Sequence, residues 1–213
     1  MQKIACCIVL IVFGFLLSTN GLTEPNRPEL ISLADKLNIR ALNPLVEQGE
    51  ICLIHSDQAG KFKQATIICL VDAPPKDIWG IVTDYERYTE FMPKLANISV
   101  LKRQGNDVIV AYELDIPGPN FSYTLHHRHR PTDMIDIWVE DEEGDIRTGS
   151  WRWEFIPCPQ ADKTLLIYYL STDVRESSWL LKQALKSQPT MEHGINVATG
   201  LMTVKAIKSR AER

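Results

Sequence analysis

The sequence predicts an α+β domain in which a mainly antiparallel, curved sheet wraps around one long C-terminal helix. Runs rich in β-branched and aromatic residues alternate with short turns from residue 51 to residue 171. Strands joined by such short turns pair as antiparallel neighbours. The chain then closes on a long helical stretch with a wide apolar sector. A single sheet buries its apolar face by packing against such an element.

The runs and turns set the order of the elements. Eight runs fit strands, at residues 51–56, 62–71, 96–103, 107–115, 120–130, 133–140, 147–156 and 164–171. Pro74 and Pro75 open a helix after the second run, because the first turn of a helix does not need their missing amide hydrogens. That helix has one apolar face, formed by Ile78, Ile81, Val82 and Tyr85.

The closing helical stretch is interrupted near Pro189 and carries two adjacent apolar stripes. We expect the first stripe to lie buried against the concave side of the sheet; it consists of Met191, Ile195, Ala198 and Met202. The second stripe consists of Val197, Leu201 and Val204.

Composition excludes one class of partner. The chain has 213 residues, of which 45% are hydrophobic and 23% charged, and its formal net charge is -4. Such a chain forms one domain with a substantial core, or two small ones. A slightly acidic balance gives no electrostatic support for a nucleic-acid partner.

The first residues predict an exported protein. Lys3 precedes an uncharged run from Ile4 to Leu17, which is shorter than the ~20 apolar residues of a membrane-spanning helix and typical of a signal peptide. We therefore divide the chain into a signal peptide (1–22), a linker with a short helix (23–48) and a folded domain (49–210). The predicted location is the periplasm or the exterior; an uncleaved membrane anchor is the alternative.

The cysteines beyond the leader are Cys52, Cys69 and Cys158. Their spacing fits no zinc pattern, and an odd number cannot be fully paired within one chain. Either one disulfide forms in an oxidising compartment or all three are free thiols in strands.

Strand alternation and the short turn at residues 131–133 predict one register between two strands. If Arg128 lies opposite Asp136, then Leu125 faces Val139 and His127 faces Ile137 on the inner side. On the outer side we expect an Arg128–Asp136 salt bridge and His126 beside Trp138.

Four segments resemble a known superfamily. Residues 73–79 (APPKDIW) and 83–93 (TDYERYTEFMP) resemble the helical signature of the START-like (SRPBCC) polyketide cyclase and coenzyme Q-binding families. Residues 149–153 (GSWRW) and 164–169 (TLLIYY) resemble their later strands. The resemblance covers roughly residues 48 to 208 and implies a helix-grip fold with a hydrophobic cavity between the sheet and the C-terminal helix.

The candidate ligand-binding residues follow from the predicted inner face: Tyr112, Tyr123, His127, Trp151, Trp153 and Tyr169. Tyr169 lies in the run 164–171, in which the residues on both faces of the strand are apolar, so alternation does not decide which face Tyr169 occupies. The inner face has no Asp or Glu, whereas acid–base catalysis usually needs such groups. Binding or transport of a hydrophobic small molecule or lipid, with a quinone among the candidates, is therefore favoured. A polyketide cyclase or dehydratase is the alternative, and plain core packing of Trp151 and Trp153 is another.

No catalytic residue, cofactor or metal is assigned. His127 and His129 share a strand face, but a catalytic zinc site usually needs a third ligand with its own motif. The acidic run at residues 140–145 lacks the spacing of a calcium loop and fits a solvated turn. The predicted partner is the hydrophobic ligand; a transient membrane contact and the oligomeric state stay open.

Overall fold

The computed structural model describes residues 27–33, 38–115, 121–141, 143–159, 162–174 and 179–213. The predicted signal peptide lies outside the described residues. Among the helices of the described ranges, none is long and apolar enough to cross a membrane.

The domain is built on one antiparallel sheet of eight strands. They are β1 Ile51–Ser56, β2 Phe62–Val71, β3 Leu95–Gln104, β4 Asp107–Leu114, β5 Phe121–Arg130, β6 Met134–Val139, β7 Gly149–Pro157 and β8 Thr164–Thr172. Their order in the sheet is β1-β2-β8-β7-β6-β5-β4-β3, so the last strand closes the meander by pairing with β2. The predicted strands are confirmed, with bounds that differ by no more than two residues.

Four α-helices and one 3₁₀ helix complete the described fold: α1 Ile39–Val46, α2 Pro75–Thr83, the 3₁₀ helix Tyr85–Glu90, α3 Trp179–Ser187 and α4 Met191–Ala211. Pro75 occupies the first turn of α2, and Pro189 lies between α3 and α4, as predicted. The predicted linker (23–48) contains the helix α1 Ile39–Val46, whereas residues 30–33 are not helical.

The predicted register between β5 and β6 is confirmed. Arg128 pairs with Asp136, His127 with Ile137 and Leu125 with Val139. The expected Arg128–Asp136 salt bridge is wrong, however. Arg128 Nε lies 3.0 Å from an Asp107 carboxylate oxygen on β4, and Asp136 instead accepts from Arg152 on β7 at 2.6 Å.

Helix α4 packs on the concave face of the sheet, chiefly over β2 and β8, but not through the predicted stripe. Met191 and Met202 of that stripe are 42% and 48% exposed. The buried face instead consists of Glu192, Asn196, Gly200, Val204 and Ile207. The apolar pattern predicted the wrong face because two polar residues, Glu192 and Asn196, point towards the sheet. The Asn196 amide donates to the Thr172 carbonyl at 3.4 Å.

The N-terminal segment covers the opposite, outer face of the sheet. Both backbone groups of Ile31 bond the Gln64 side-chain amide, at 2.8 and 3.0 Å. The Ser32 hydroxyl donates to Glu154 at 3.0 Å. Apolar residues of this segment and of α1 pack on a second cluster at Ile68, Leu70, Leu165, Ile167 and Tyr169. One half of the sheet is therefore buried on both faces, which explains why every position of β8 is buried.

Of the two alternatives for the cysteines, the structure has free thiols and no disulfide among Cys52, Cys69 and Cys158. Cys52 on β1 is exposed, Cys69 on β2 is buried, and Cys158 is half-buried after β7.

Candidate functional site

Aromatic side chains of β4, β5, β7 and β8 line the concave face. The rings of Tyr112 on β4 and Tyr123 on β5 stack with centroids 5.3 Å apart. Across the sheet, Trp153 on β7 and Tyr168 on β8 stack at 4.1 Å. These side chains share one face because successive residues of a strand alternate between the two faces of the sheet. Tyr112, Trp153 and Tyr168 belong to the main hydrophobic core, and Tyr123 packs against it.

Trp151 lies flat along its own strand. Gly149 is two residues earlier on the same face of β7, so a side chain there would meet the Trp151 indole. An ideal Cβ at Gly149 would lie 2.5 Å from Trp151 Cη2, far inside van der Waals contact. The glycine therefore creates the space in which the indole covers the concave face.

The structure places five of the six candidate residues on this face and one on the other. Tyr112, Tyr123, His127, Trp151 and Trp153 face inward, as predicted. Tyr169 lies in the outer cluster, where its hydroxyl donates to Glu154 at 2.8 Å and accepts from the Leu33 amide at 3.1 Å.

The inward-facing tyrosine of β8 is Tyr168, which the sequence interpretation missed. Both faces of β8 are apolar because the N-terminal segment covers its outer face, so alternation along the strand gave no signal. The β7–β8 pairing opposite Trp153 identifies it.

Two tyrosine–histidine pairs lie side by side on the same face. The Tyr112 hydroxyl and His127 Nε2 share a hydrogen bond of 3.0 Å, and the Tyr85 hydroxyl and His129 Nε2 share one of 2.7 Å. The ring centroids of Tyr85 and His127 are 4.8 Å apart. His127 Nδ1 is buried and has no hydrogen-bond partner among the described residues. The imidazoles of His127 and His129 are thus hydrogen-bonded to different tyrosines. Within the described ranges, no cluster of three or more His, Cys, Asp or Glu could hold a metal.

These groups are uncharged near neutral pH. Burial lowers the pKa of His127 well below its ordinary value of 6.5, and the neighbouring His129 and His126 lower it further. Burial also raises the pKa of Tyr112, Tyr123 and Tyr168 above the ordinary 10.0. Since neither ring type ionises, the aromatic wall presents hydrogen-bonding groups without formal charge.

Neutral burial of His127 predicts a loss of stability in mild acid. Below pH 6.5, the ordinary histidine pKa, the unfolded chain binds a proton on this ring that the folded chain does not bind. The stability that neutral His127 contributes is therefore fully present above pH 6.5, the pKa of this ring in the unfolded chain. It is lost as the pH falls below that value, by about 1.4 kcal/mol per pH unit for one proton. Urea unfolding at about pH 7.5 and about pH 5.5 measures this slope.

The variant His127→Asn should show a shallower pH dependence than the wild type. His129, whose pKa burial also lowers, accounts for the part that remains. Equal losses of stability in variant and wild type would contradict the assignment to His127.

A cleft lies at the edge of the domain, away from the aromatic side chains of the concave face. This cleft of about 330 Å³ lies between the N-terminal segment, the β1–β2 hairpin and the end of β8. Its lining includes Pro28, Lys61, Phe62, Asp173 and Glu192. It differs from the concave face in being open and lined with charged side chains.

Solved structures share this architecture. The Zhui aromatase/cyclase of a Streptomyces species aligns with a TM-score of 0.55 and 16% identity, over 70% of this chain and 93% of that chain. The STAR-related lipid transfer protein of Xanthomonas axonopodis aligns with a TM-score of 0.55 and 17% identity, over 78% and 95%. A Thermus thermophilus protein aligns with a TM-score of 0.56 and 15% identity, over 70% and 96%. Likeness at such low identity shows the fold, which is the START-like helix-grip fold, and not the ligand.

The sequence itself matches one family model. No curated protein matches the chain. The model described as polyketide cyclase / dehydrase and lipid transport matches residues 71–191, which is more than half of the chain and runs from the end of β2 to the first residue of α4. The chain therefore belongs to the polyketide cyclase / dehydrase and lipid-transport family.

Proposed function

We propose that the concave face binds a hydrophobic small molecule or lipid and does not transform it. The observation that carries this proposal is the chemistry of the inward positions of β4–β8. Among the described residues these positions hold aliphatic and aromatic side chains, threonines, and two histidines that are uncharged near neutral pH. They hold no Asp, Glu, Lys or Arg. A mostly apolar surface with a few convergent polar groups is typical of small-molecule sites.

The aromatic geometry supports the same proposal. The Tyr112–Tyr123 and Trp153–Tyr168 stacks hold four rings in fixed orientations on separate strands. Rigid rings give a large apolar contact area at a low cost in conformational entropy. With the leader predicted from the sequence, we place this binding in the periplasm or outside the cell.

A cyclase or dehydratase is the second candidate, and the two tyrosine–histidine pairs favour it. General acid–base catalysis uses a group whose pKa lies near the working pH. Burial moves the pKa of His127 down and away from the working pH, so the ring is neutral and could take part only as a weak base. Conversion of a bound ligand by the wild type, lost in His127→Asn, would support the enzyme over the carrier.

The binding proposal is tested with N-phenyl-1-naphthylamine, a neutral apolar fluorescent probe. We expect saturable binding to the wild type and about 10- to 100-fold weaker binding to Trp151→Ala, because one buried aromatic contact contributes ~1.5–3 kcal/mol. Trp138→Ala is the matched control. Trp138 has the same side chain and similar exposure, 6% against 7%, but lies on the outer face, stacked on His126 at 4.2 Å.

Both tryptophan variants must be folded for this comparison. Truncation of a buried Trp typically costs ~3–5 kcal/mol of stability, so circular dichroism and thermal melting precede the titrations. If both folded variants bind the probe as the wild type does, or if the wild type shows no saturable binding, the concave face is a filled core and the proposal fails.

A further inference from the structure

Strand β1 forms one edge of the sheet, and its middle is apolar and exposed. Among the described strands, β1 stands first in the order of the sheet and pairs with β2 alone. Cys52 is exposed, and Leu53 and Ile54 are 39% and 51% exposed. The backbone N–H and C=O groups along such an edge can pair with another strand, so proteins usually protect it with charged residues, proline or bulges. The middle of β1 has none of these, since its register shift lies at the end, between His55 and Ser56.

The opposite edge strand, β3, is protected in the usual way. Lys102 and Arg103 are exposed on it, and two register shifts interrupt its pairing with β4. Leu101, which is 60% exposed, directly precedes these two charges. Of the two edges, β1 is therefore the one suited to pairing with another strand.

Exposed apolar side chains border β1 on both faces of the sheet. Of the seven large hydrophobic side chains that are exposed in the described ranges, four belong to β1 or to the helices beside it: Leu45, Leu53, Ile54 and Met202. On the concave side, α4 carries Met202 and contacts β1, and its Lys205 Nζ lies 3.3 Å from Glu50. On the outer side, α1 carries Leu45 and packs on the outer cluster beside Ile51. A flat surface such as a membrane would cover one of these faces, whereas a strand flanked by its own helices covers both.

We propose that β1 pairs in antiparallel orientation with β1 of a second copy of the chain, about a two-fold axis at Leu53. The regular part of β1, residues 51–55, is centred on this residue. Pairing about it places Leu53 opposite Leu53 of the second copy and Cys52 opposite Ile54, with matching faces and no two like charges opposite each other. Such a contact uses the same surface on both copies and closes as a dimer. The two eight-stranded sheets then become continuous.

Sedimentation equilibrium of the reduced protein tests this dimer, and we expect a mass twice that of one chain. Leu53→Lys and Leu53→Glu should each weaken the dimer about 10-fold or more, because each variant places two like charges directly opposite one another. An equimolar mixture of the two variants should restore the dimer, since opposite charges then face each other. Leu101→Lys is the matched control, because it adds the same charge to the other edge strand and should leave the mass unchanged. Circular dichroism checks that each variant is folded.

The register is tested by disulfide formation. Ile54→Cys should give a disulfide-linked dimer with Cys52 of the second copy under mild oxidation, because opposite residues of an antiparallel pair have Cα atoms about 4.5–5.5 Å apart, within the range of a disulfide. His55→Cys is the control. His55 is also exposed but would lie opposite Ile51 on the other face, so its variant should give no more linked dimer than the wild type.

Three results would overturn the dimer. The first is a monomeric wild type, including one that instead sediments with vesicles of anionic phosphatidylglycerol and loses this binding in Ile54→Lys. The second is a dimer that Leu53→Lys leaves unchanged, and the third is a His55→Cys variant that links as readily as Ile54→Cys. None of them bears on ligand binding, because the aromatic side chains of the candidate site belong to β4, β5, β7 and β8.

Discussion

Replacement of Gly200 by valine is expected to destabilise the domain by about 3 kcal/mol, at the upper end of the usual cost of overpacking a core. Gly200 lies on the buried face of α4, where the helix backbone approaches β2 and β8. An ideal Cβ at this position would lie 2.9 Å from Leu170 Cδ2 and 3.0 Å from Ile67 Cγ1. A valine adds two further methyl groups, so the helix must move away from the sheet or both side chains must leave their rotamers. Urea denaturation measures the loss.

Gly194→Ala provides the matched control on the same helix. A Cβ at Gly194 would have no neighbouring atom within 4 Å, and alanine is favoured over glycine inside a helix by up to about 1 kcal/mol. This variant should therefore be more stable than the wild type. If Gly200→Val unfolds at the wild-type urea concentration, α4 does not pack on the sheet through this face.

The variant Gly149→Val is expected to cost a similar ~3 kcal/mol and also to weaken ligand binding. The Trp151 indole occupies the space that the new side chain needs, with Cη2 only 2.5 Å from an ideal Cβ. The indole must rotate away from its position along β7, which should shift tryptophan fluorescence. Affinity for N-phenyl-1-naphthylamine should fall towards that of Trp151→Ala.

Gly80→Ala serves as the control for this prediction, because a Cβ at Gly80 in α2 meets nothing within 4 Å. It should leave probe binding intact and, like Gly194→Ala, should not destabilise the domain, since alanine is favoured over glycine inside a helix. Wild-type fluorescence and affinity in a folded Gly149→Val variant would show that the Trp151 indole does not line the ligand site.

Most of the sheet could be predicted from the sequence, because β4–β6 alternate clearly between apolar and polar residues. A strand with one covered face has one apolar parity, and this fixed the β5–β6 register at Arg128 and Asp136. The same parity correctly assigned Tyr112, Tyr123 and His127 to the concave face. Side-chain pairing was less predictable than register: Asp136 faces Arg128 but bonds Arg152.

The wrong predictions for β8 and α4 share a physical cause. In both elements, the pattern of apolar residues in the sequence does not show which face is buried. The outer face of β8 is covered by the N-terminal segment, so Tyr169 and Tyr168 were indistinguishable in the sequence. The buried face of α4 carries Glu192 and Asn196, so the more apolar stripe, with Met191 and Met202, was wrongly chosen. In both cases a distant segment decided which face is buried.

The central proposal is tested most directly by a crystal structure of the protein with N-phenyl-1-naphthylamine bound. We expect the probe on the concave face, with its rings against Trp151 and Trp153 and its edge near the Tyr168 hydroxyl. The cleft of about 330 Å³ is the competing position. Density for the probe in that cleft, against Phe62 and Glu192, with an unchanged aromatic wall on the concave face, would contradict the proposal.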